Sequence, residues 1–225
     1  MAKKVFFITG TDTDVGKTEV AAGFIELANQ KGLRTGAVKP VAAGCKDHGE
    51  GPQNDDALKL QSLASVELSY QQVNPVALDL PMAPHIAAQE QGKVITANRL
   101  VGFCRGVSLL PMDFLVIEGA GGWRVPINKR ETMADIPKQL NAEVILVVGI
   151  RLGCINHALL TAQAIRMDGV KIAGWVANIL DTEMLRMDEN IDTLKQMLIE
   201  PCLGVVPRLS DISPQQVAAH LTIPE

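Results

Sequence analysis

Residues capable of binding an anion are concentrated in the segment VFFITGTDTDVGKT, which begins at Val5. An apolar run ends at Gly10, and Gly16, Lys17 and Thr18 follow at the predicted start of a helix. A helix start directs backbone N–H groups at phosphates, the lysine reaches the outer phosphates, and the threonine hydroxyl coordinates magnesium. Five residues separate the two glycines, one more than in the Walker A pattern. The segment predicts a slightly widened phosphate-binding loop; the alternative is a strand-turn-helix corner with glycines for steric reasons.

Two aspartates lie inside this loop and oppose simple anion binding. The carboxylates of Asp12 and Asp14 would repel phosphates unless they face magnesium, its water ligands or a cationic substrate. The loop therefore predicts an amine close to the phosphates, which bears on what the phosphoryl group is transferred to.

Three further charged residues lie where predicted strands end or helices begin. Lys39 ends the run RTGAVK, Glu118 ends the apolar run FLVIE, and Asp56 lies at a predicted helix start in QNDDAL. With Thr18, the two carboxylates supply the oxygen ligands that magnesium prefers. Simpler interpretations stay open: a solvated lysine, a helix-start carboxylate with Asp55 as the cap, and a paired structural glutamate.

These positions belong to short apolar runs that alternate with longer helical patterns. The alternation predicts an α/β fold with a mostly parallel sheet and helices on both faces. The predicted strands are Val5–Thr9, Thr35–Lys39, Phe114–Glu118, Val144–Ile150, Ile172–Ala177 and Gly204–Val206. The predicted helices are Lys17–Gln30, Asp55–Ala64, Thr96–Val107, Asn156–Met167 and Thr182–Leu198. Loops beyond the carboxyl ends of such strands form the ligand crevice, and the irregular segment Pro40–Asn54 is predicted to be one of them.

Composition restricts the class of protein. The 225 residues are 47% hydrophobic, which predicts a single domain over residues 1–225. A net charge of -4 and the absence of long apolar runs argue against nucleic acid or a membrane as partner. The first residues run into a strand without a secretory signal pattern, so we expect a cytoplasmic protein. The scattered cysteines, Cys45, Cys104, Cys154 and Cys202, predict neither a zinc site nor disulfides.

Six segments spread over most of the chain resemble one enzyme family. They are GTDTDVGKT, KPVAAG, NDDAL, VIEGAGGW, VVGIRLGCINHALLTAQAI and AGWVAN. In this order they are similar to the dethiobiotin synthetases, which close the ureido ring in the next-to-last step of biotin synthesis. The resemblance implies a P-loop NTPase-type fold, a homodimer with shared active sites, and Mg²⁺ as cofactor with ATP as co-substrate. It further implies that 7,8-diaminopelargonic acid and CO2 or bicarbonate react through a carbamate and a carbamic-phosphoric anhydride.

The resemblance also implies a role for each matching residue. Lys39 would steady the carbamate, Lys17 would neutralise charge beside the migrating phosphoryl group, and Thr13 would complete the catalytic set. The implied metal ligands are Thr18, Asp56 and Glu118. The implied ATP-binding residues are Asp14, Val15, Gly16, Lys17, Thr18, Glu19, Asp56, Glu118, Gly119, Ala120, Gly121, Asn178, Val206, Pro207, Arg208 and Asp211. The implied substrate-binding residues are Thr13, Lys39, Ala43, Gly121, Gly122, Gly153, Cys154, Ile155, Asn156 and Asn190.

Two of these assignments concern parts of the chain far from the loop. Asn178 would read the adenine edge, whereas a plain turn-forming asparagine is the alternative. Residues 153–156 would reach across the dimer interface to the substrate carboxylate, whereas an ordinary strand-to-helix connection is the alternative.

Three positions depart from the commonest pattern of the family. Asp14 replaces Glu beside the phosphate loop, Ala43 replaces Ser, and Asn190 replaces a Tyr that reaches the substrate carboxylate. These changes are expected to alter substrate contacts. They spare the lysines and the implied metal ligands, so the reaction itself is expected to be retained.

Two other kinds of ATP-dependent protein share parts of this pattern. A partitioning or positioning ATPase would place a second lysine early in the loop, and residues 10–15 contain none. A cobyrinate-type amide ligase would need a glutaminase module with a cysteine nucleophile, for which 225 residues leave no room. Both alternatives predict an ATP turnover that does not depend on a diamine.

Overall fold

A six-stranded parallel sheet is the main feature of the computed structural model, which describes residues 3–47, 49, 51–209 and 212–224. The strands are β1 (Lys4–Gly10), β2 (Thr35–Val38), β3 (Ala42–Ala43), β4 (Lys46–Asp47), β5 (Pro52–Gln53), β6 (Ala77–Leu78), β7 (Phe114–Gly122), β8 (Glu143–Ile150), β9 (Ile172–Ile179) and β10 (Cys202–Val206). Six of them form the sheet in the order β10-β9-β8-β1-β7-β2, and each neighbouring pair is parallel. The short strands pair as β3 with β6 and β4 with β5.

Helices cover both faces of this sheet because its central strands are apolar on both sides. The helices are α1 (Lys17–Gln30), α2 (Asp55–Leu63), α3 (Tyr70–Val73), α4 (Pro84–Glu90), α5 (Ala97–Ser108), α6 (Asp135–Leu140), α7 (Cys154–Met167), α8 (Met187–Met197) and α9 (Pro214–Ala218). Neighbouring side chains of β1 belong to two different hydrophobic clusters. Ile8 is in the cluster that includes residues of α1 and α9, and Phe7 is in the cluster that includes residues of α5, α6 and α7. Among the described residues, no helix is both long and apolar enough to cross a membrane.

The carboxyl ends of the six main strands meet at one edge of the sheet. The phosphate loop follows β1, Lys39 follows β2, Glu118 lies in β7, and Arg151 follows β8. Because β1 lies between β8 and β7, the loop occupies the middle of this edge, where open α/β sheets form their ligand crevice.

The predicted α/β class and the six predicted strands are confirmed, as is α1 with its predicted bounds. Strand β7 continues past Glu118 to Gly122, so part of the GAGG segment is strand. The segment 40–54, predicted to be irregular, contains the short strands β3, β4 and β5. Elements this short carry too few residues to show a period in the sequence.

Two predicted helix starts are wrong, and in both cases a residue with left-handed backbone directly precedes the observed start. Helix α7 begins at Cys154 instead of Asn156, directly after Gly153, whose φ is 92°. Helix α8 begins at Met187 instead of Thr182, directly after Arg186, whose φ is 56°. A right-handed helix does not run through a left-handed residue, so each helix begins after it.

Candidate active site

The phosphate loop is closed by a glycine that a larger residue could not replace without displacing its neighbours. Gly16 has a φ of 85° and lies immediately before α1. A Cβ atom on Gly16 would lie 2.2 Å from Nδ2 of Asn178. That amide donates a hydrogen bond to the backbone oxygen of Val15 at 2.9 Å. The end of β9 therefore supports the loop just before the first turn of α1.

Lys17 begins α1 and turns back over the loop. Its side chain is buried, and its ammonium donates to the backbone oxygen of Asp12 at 2.9 Å. Burial lowers the pKa of this lysine, against the opposite effect of the nearby Glu118 carboxylate. The lysine thus lies over the space that the loop encloses, as a phosphate-binding lysine would.

Asp12 has a protein cation as its partner, which the sequence analysis missed. Nη2 of Arg151 lies 2.5 Å from Oδ2 of Asp12. From the sequence we expected Asp12 to face magnesium, its water ligands or a cationic substrate. A cationic side chain of the same chain was not among the expected partners. Arg151 directly follows the apolar run EVILVVGI, so its place at the crevice edge could have been predicted in the same way as that of Lys39.

Lys39, Asp56, Glu118 and Thr18 meet in one hydrogen-bonded network. The Lys39 ammonium donates to Oδ2 of Asp56 at 2.8 Å and to Oε1 of Glu118 at 2.7 Å. The Thr18 hydroxyl donates to the same Oε1 at 2.9 Å. Lys39 is 5% exposed and Glu118 is 1% exposed, so the alternative of a solvated surface lysine is wrong. The helix cap beside them is Asn54, not Asp55, because the Asn54 side chain accepts from the N–H of Ala57.

Burial and opposite charges act against each other on the pKa values of this network. Burial lowers the pKa of Lys39, but the Glu118 and Asp56 carboxylates outweigh it and raise that pKa above its ordinary value. Burial raises the pKa of Asp56, but the Lys39 ammonium outweighs it and holds that pKa below its ordinary value. The pair of Lys39 and Asp56 is therefore charged at neutral pH.

The same oxygens fit a magnesium ion. Oε2 of Glu118 is buried and has no hydrogen-bond partner among the described residues. A buried carboxylate oxygen left in this way is suited to a hard cation, as are the Asp56 carboxylate and the Thr18 hydroxyl beside it. In the described ranges, no cluster of three His, Cys, Asp or Glu side chains could hold a metal. The proposed magnesium ligands do not form such a cluster, because only two of the three are carboxylates.

A cleft of about 820 Å³ opens over the loop and this network. Of the predicted site residues, it is lined by Thr13, Asp14, Gly16, Lys17, Thr18, Glu19, Lys39, Ala43, Asp56, Glu118, Gly119, Ala120 and Gly121. The remaining lining residues were not predicted from the sequence: Ala42, Asn54, Pro81, Met82, Ala83, Pro84 and Val125. Most of these are apolar or small and carry no chemical signature, so only their position in the fold reveals them.

Glycines of the GAGG segment allow close approach along one side of the cleft. A Cβ atom on Gly119 would lie 2.9 Å from the Phe7 ring. Gly121 has a φ of 65°, and a Cβ atom there would lie 2.7 Å from a methyl group of Val125 and 3.5 Å from the Thr13 hydroxyl. Both positions therefore need glycine for packing alone.

The predicted base-binding residues lie at the ends of β9 and β10. Val206 ends β10 and is buried, Pro207 is half-buried, and the exposed Arg208 donates to the backbone oxygen of Leu180 at 3.5 Å. Asp211 lies outside the described residues.

The remaining predicted substrate residues do not line the cleft. Gly153, Cys154, Ile155 and Asn156 form the entry to α7 and its first turn, where Asn156 is exposed. Asn190 lies on α8 and donates to the backbone oxygen of Arg186 at 2.8 Å. Gly122, the last residue of β7, also lies outside the cleft lining.

Curated relatives match nearly the whole chain. ATP-dependent dethiobiotin synthetase BioD of Cellvibrio japonicus (strain Ueda107) is 55% identical over 223 residues, which are 99% of this chain and 97% of that protein. ATP-dependent dethiobiotin synthetase BioD of Pseudomonas paraeruginosa (strain DSM 24068 / PA7) is 53% identical over 97% of this chain and 96% of that protein. A family model described as an AAA domain matches residues 4–216.

Solved structures share the fold at low sequence identity. The septum site-determining protein MinD from Pyrococcus horikoshii OT3, complexed with Mg-ADP, superposes with a TM-score of 0.58 at 17% identity, covering 98% of this chain and 87% of that one. A ParA family ATPase from Chlorobium tepidum TLS also gives 0.58, at 18% identity over 97% and 91% of the two chains. These likenesses confirm the predicted P-loop NTPase-type fold. Several families share this fold, and sequence identity over the full length distinguishes between them. By its identity to the curated relatives, the chain belongs to the ATP-dependent dethiobiotin synthetases, ligases that form carbon–nitrogen bonds.

Proposed function

We propose that this enzyme uses ATP and CO2 to close a ureido ring on 7,8-diaminopelargonic acid, releasing dethiobiotin, ADP and phosphate. One observation carries the mechanism: the buried ammonium of Lys39 and the carboxylate of Glu118 lie 2.7 Å apart beside a phosphate loop. A generic ATPase has no need for a buried lysine at this place. A carbamate formed next to the γ-phosphate does need a fixed positive charge.

The proposed reaction has three steps. One amine of the substrate attacks CO2 and loses a proton, which forms a carbamate. A carbamate oxygen attacks the γ-phosphorus of ATP, the bond to ADP breaks, and a carbamic-phosphoric anhydride forms. The neighbouring amine attacks the anhydride carbon, phosphate leaves, a proton is lost, and the ring closes.

The protein contributes charge and position to these steps, not a nucleophile. Lys39 neutralises the carbamate, and Lys17 neutralises the charge that develops as the phosphoryl group moves. Thr13, whose backbone N–H donates to the Asp12 carboxylate at 2.8 Å, lines the cleft with its hydroxyl near Gly121. Holding the reactants in contact supplies most of the remaining acceleration in reactions of this kind.

Thr18, Asp56 and Glu118 would hold Mg²⁺, and Oε2 of Glu118, which has no hydrogen-bond partner within the described ranges, supports this assignment. The ion would neutralise negative charge on the outer phosphates. Lys39 offsets one of the two carboxylate charges, so a negative charge remains at the place where the ion would bind.

ATP is proposed to lie along the sheet edge from the loop toward β9 and β10. The residues assigned to it are Asp14, Val15, Gly16, Lys17, Thr18, Glu19, Asp56, Glu118, Gly119, Ala120, Gly121, Asn178, Val206, Pro207, Arg208 and Asp211. Asn178 contacts the loop through its Nδ2, which leaves its Oδ1 to accept from the adenine amine. The diamine is assigned to Thr13, Lys39, Ala43, Gly121 and Gly122.

A homodimer would complete the substrate site. Gly153, Cys154, Ile155, Asn156 and Asn190 are assigned to the substrate carboxylate of the partner's site, which agrees with their place outside the cleft of their own chain. Leu152, which precedes Gly153, and Leu185, which lies five residues before Asn190, are each 88% exposed. Exposed apolar surface of this kind is commonly covered by another chain. The chain is proposed to act as one ligase domain, in the cytoplasm, without nucleic acid or membrane.

The defining experiment measures ADP release and dethiobiotin formation while single substrates are omitted. Turnover should require both diamine and bicarbonate, and DNA, lipid vesicles or glutamine should not stimulate it. ATP hydrolysis that proceeds equally without the diamine would contradict the proposal and favour a switch ATPase, and glutamine dependence would favour an amide ligase.

A further inference from the structure

Asp12 joins three parts of the site through three different atoms. Its Oδ2 lies 2.5 Å from Nη2 of Arg151, its Oδ1 accepts from the N–H of Thr13 at 2.8 Å, and its backbone oxygen accepts from the Lys17 ammonium at 2.9 Å. The carboxylate and the backbone of one loop residue thus contact two residues assigned to the reaction. Of these partners, only Arg151 lies outside the loop and the start of α1, because it directly follows β8.

An unpaired carboxylate at this place would weaken nucleotide binding. Four negative charges of ATP have to approach the same loop, and like charges within a few ångströms repel each other. The guanidinium of Arg151 cancels the charge of Asp12 while leaving its hydrogen bonds to the loop intact. The Asp12 side chain is 47% exposed and that of Arg151 is 43% exposed, so solvent screens the pair and its effect is moderate.

We propose that Arg151 is a positioning residue for ATP. By pairing with Asp12 it removes a repulsive charge from the phosphate loop and holds the Asp12 carboxylate where it orients Thr13 and supports Lys17. This inference rests on the proposed function, because it assumes that the loop binds the phosphates of ATP. A surface ion pair without this role would affect stability at most, and not nucleotide affinity.

Calorimetric titration with the non-hydrolysable analogue AMP-PNP and Mg²⁺ tests the proposal. Arg151→Gln should weaken AMP-PNP binding about fivefold, since Asp12 then faces the phosphates uncompensated. Asp12→Asn should bind within about twofold of wild type, because lost pairing and lost repulsion offset each other. The double variant should also return to within about twofold, so the second change rescues the first.

Two controls separate this pairing from weaker explanations. Arg124→Gln removes another half-exposed arginine, paired with Asp168 at 2.8 Å and outside the cleft lining, and should leave the affinity unchanged. Asp14→Asn removes the other carboxylate of the loop, and its effect should be the same with or without Arg151→Gln. If Asp14→Asn rescues Arg151→Gln as fully as Asp12→Asn does, Arg151 acts only as a general positive charge and the proposal is wrong.

AMP-PNP binding distinguishes a wrong function from a wrong role of Arg151. Wild-type protein that does not bind AMP-PNP contradicts the proposed function itself. Wild-type protein that binds it, together with an Arg151→Gln variant that binds equally tightly, contradicts only the role of Arg151. The urea midpoints of all variants show that each protein is folded, and a Kd change without a midpoint change supports the positioning role.

Discussion

At the scale of single residues, the site depends on charges that are buried in pairs. Lys39 and Glu118 are almost inaccessible, and each is the nearest partner of the other. Removing one member of such a pair leaves a buried charge without compensation, which is costlier than loss of the contact alone. Substitutions that keep size and hydrogen bonding are therefore the informative ones here.

Glu118→Gln should keep the fold but lose magnesium-dependent turnover by about a hundredfold or more. The amide still accepts from Thr18, but it no longer supplies a charged ligand to the ion. Steady-state rates across a magnesium titration test this, with circular dichroism to confirm folding. Glu143→Gln, which removes a surface carboxylate paired with Lys171 at 2.7 Å, is the matched control. Near-normal rates in Glu118→Gln at ordinary magnesium would remove this residue from the site.

Lys39→Gln should bind ATP almost normally and form little dethiobiotin. The buried ammonium is assigned to the carbamate, whereas the phosphates are assigned to Lys17. Parallel measurements of AMP-PNP affinity and product formation separate the two steps. If nucleotide affinity collapses while the diamine still binds, Lys39 serves the phosphates and the assigned division between the lysines is wrong.

At the scale of elements, the loop between β1 and α1 is held by its contact with the end of β9. Gly16 has left-handed backbone, and the amide of Asn178 occupies the space where a side chain would begin. Backbone strain and steric overlap therefore act at the same residue.

Gly16→Ala should destabilise the fold by about 3 kcal/mol and abolish nucleotide binding, because left-handed strain and displacement of Asn178 add. Gly32→Ala is the matched control: its φ is 73°, and a Cβ atom there meets no atom of the described residues within 4 Å. That variant isolates the backbone strain, about 1 kcal/mol, and should bind nucleotide normally. Urea unfolding gives both values. Equal losses in the two variants would show that the contact with Asn178 is easily relieved.

At the scale of the whole molecule, the cleft over the phosphate loop is lined without residues 153–156 of the same chain. If those residues serve the partner's site, two inactive variants can complement each other. A twofold dimer with a different lesion in each chain has one site with both lesions and one with neither.

Lys39→Ala and Asn156→Asp, each nearly inactive alone, should regain about a quarter of wild-type site activity when unfolded and refolded together. Random reassembly makes about half of the dimers mixed, and each mixed dimer has one intact site. Asn156→Asp is inactive in this scheme because its acidic side chain repels the substrate carboxylate. Differential tags measure the mixed dimers, and their presence without recovered activity would show that each chain serves its own site.

Local signals in the sequence predicted the longer elements and the family. Apolar runs such as EVILVVGI predicted the strands, and the spacing from Gly10 to Thr18 predicted the loop and the start of α1, because these signals are local. Helix starts at Cys154 and Met187 were missed, since they depend on the backbone of a single preceding residue. Short elements and the apolar lining of the cleft left no local signal at all.

The tertiary structure decided which charges meet. Lys39 and Glu118 are 79 positions apart in the sequence, and Asp12 and Arg151 are 139 apart. Each pair forms because β7 lies between β1 and β2 while β8 lies on the other side of β1. Strand order of this kind follows from packing among all the elements, not from any one segment, so residue types at strand ends could place these side chains at one edge but could not assign their partners.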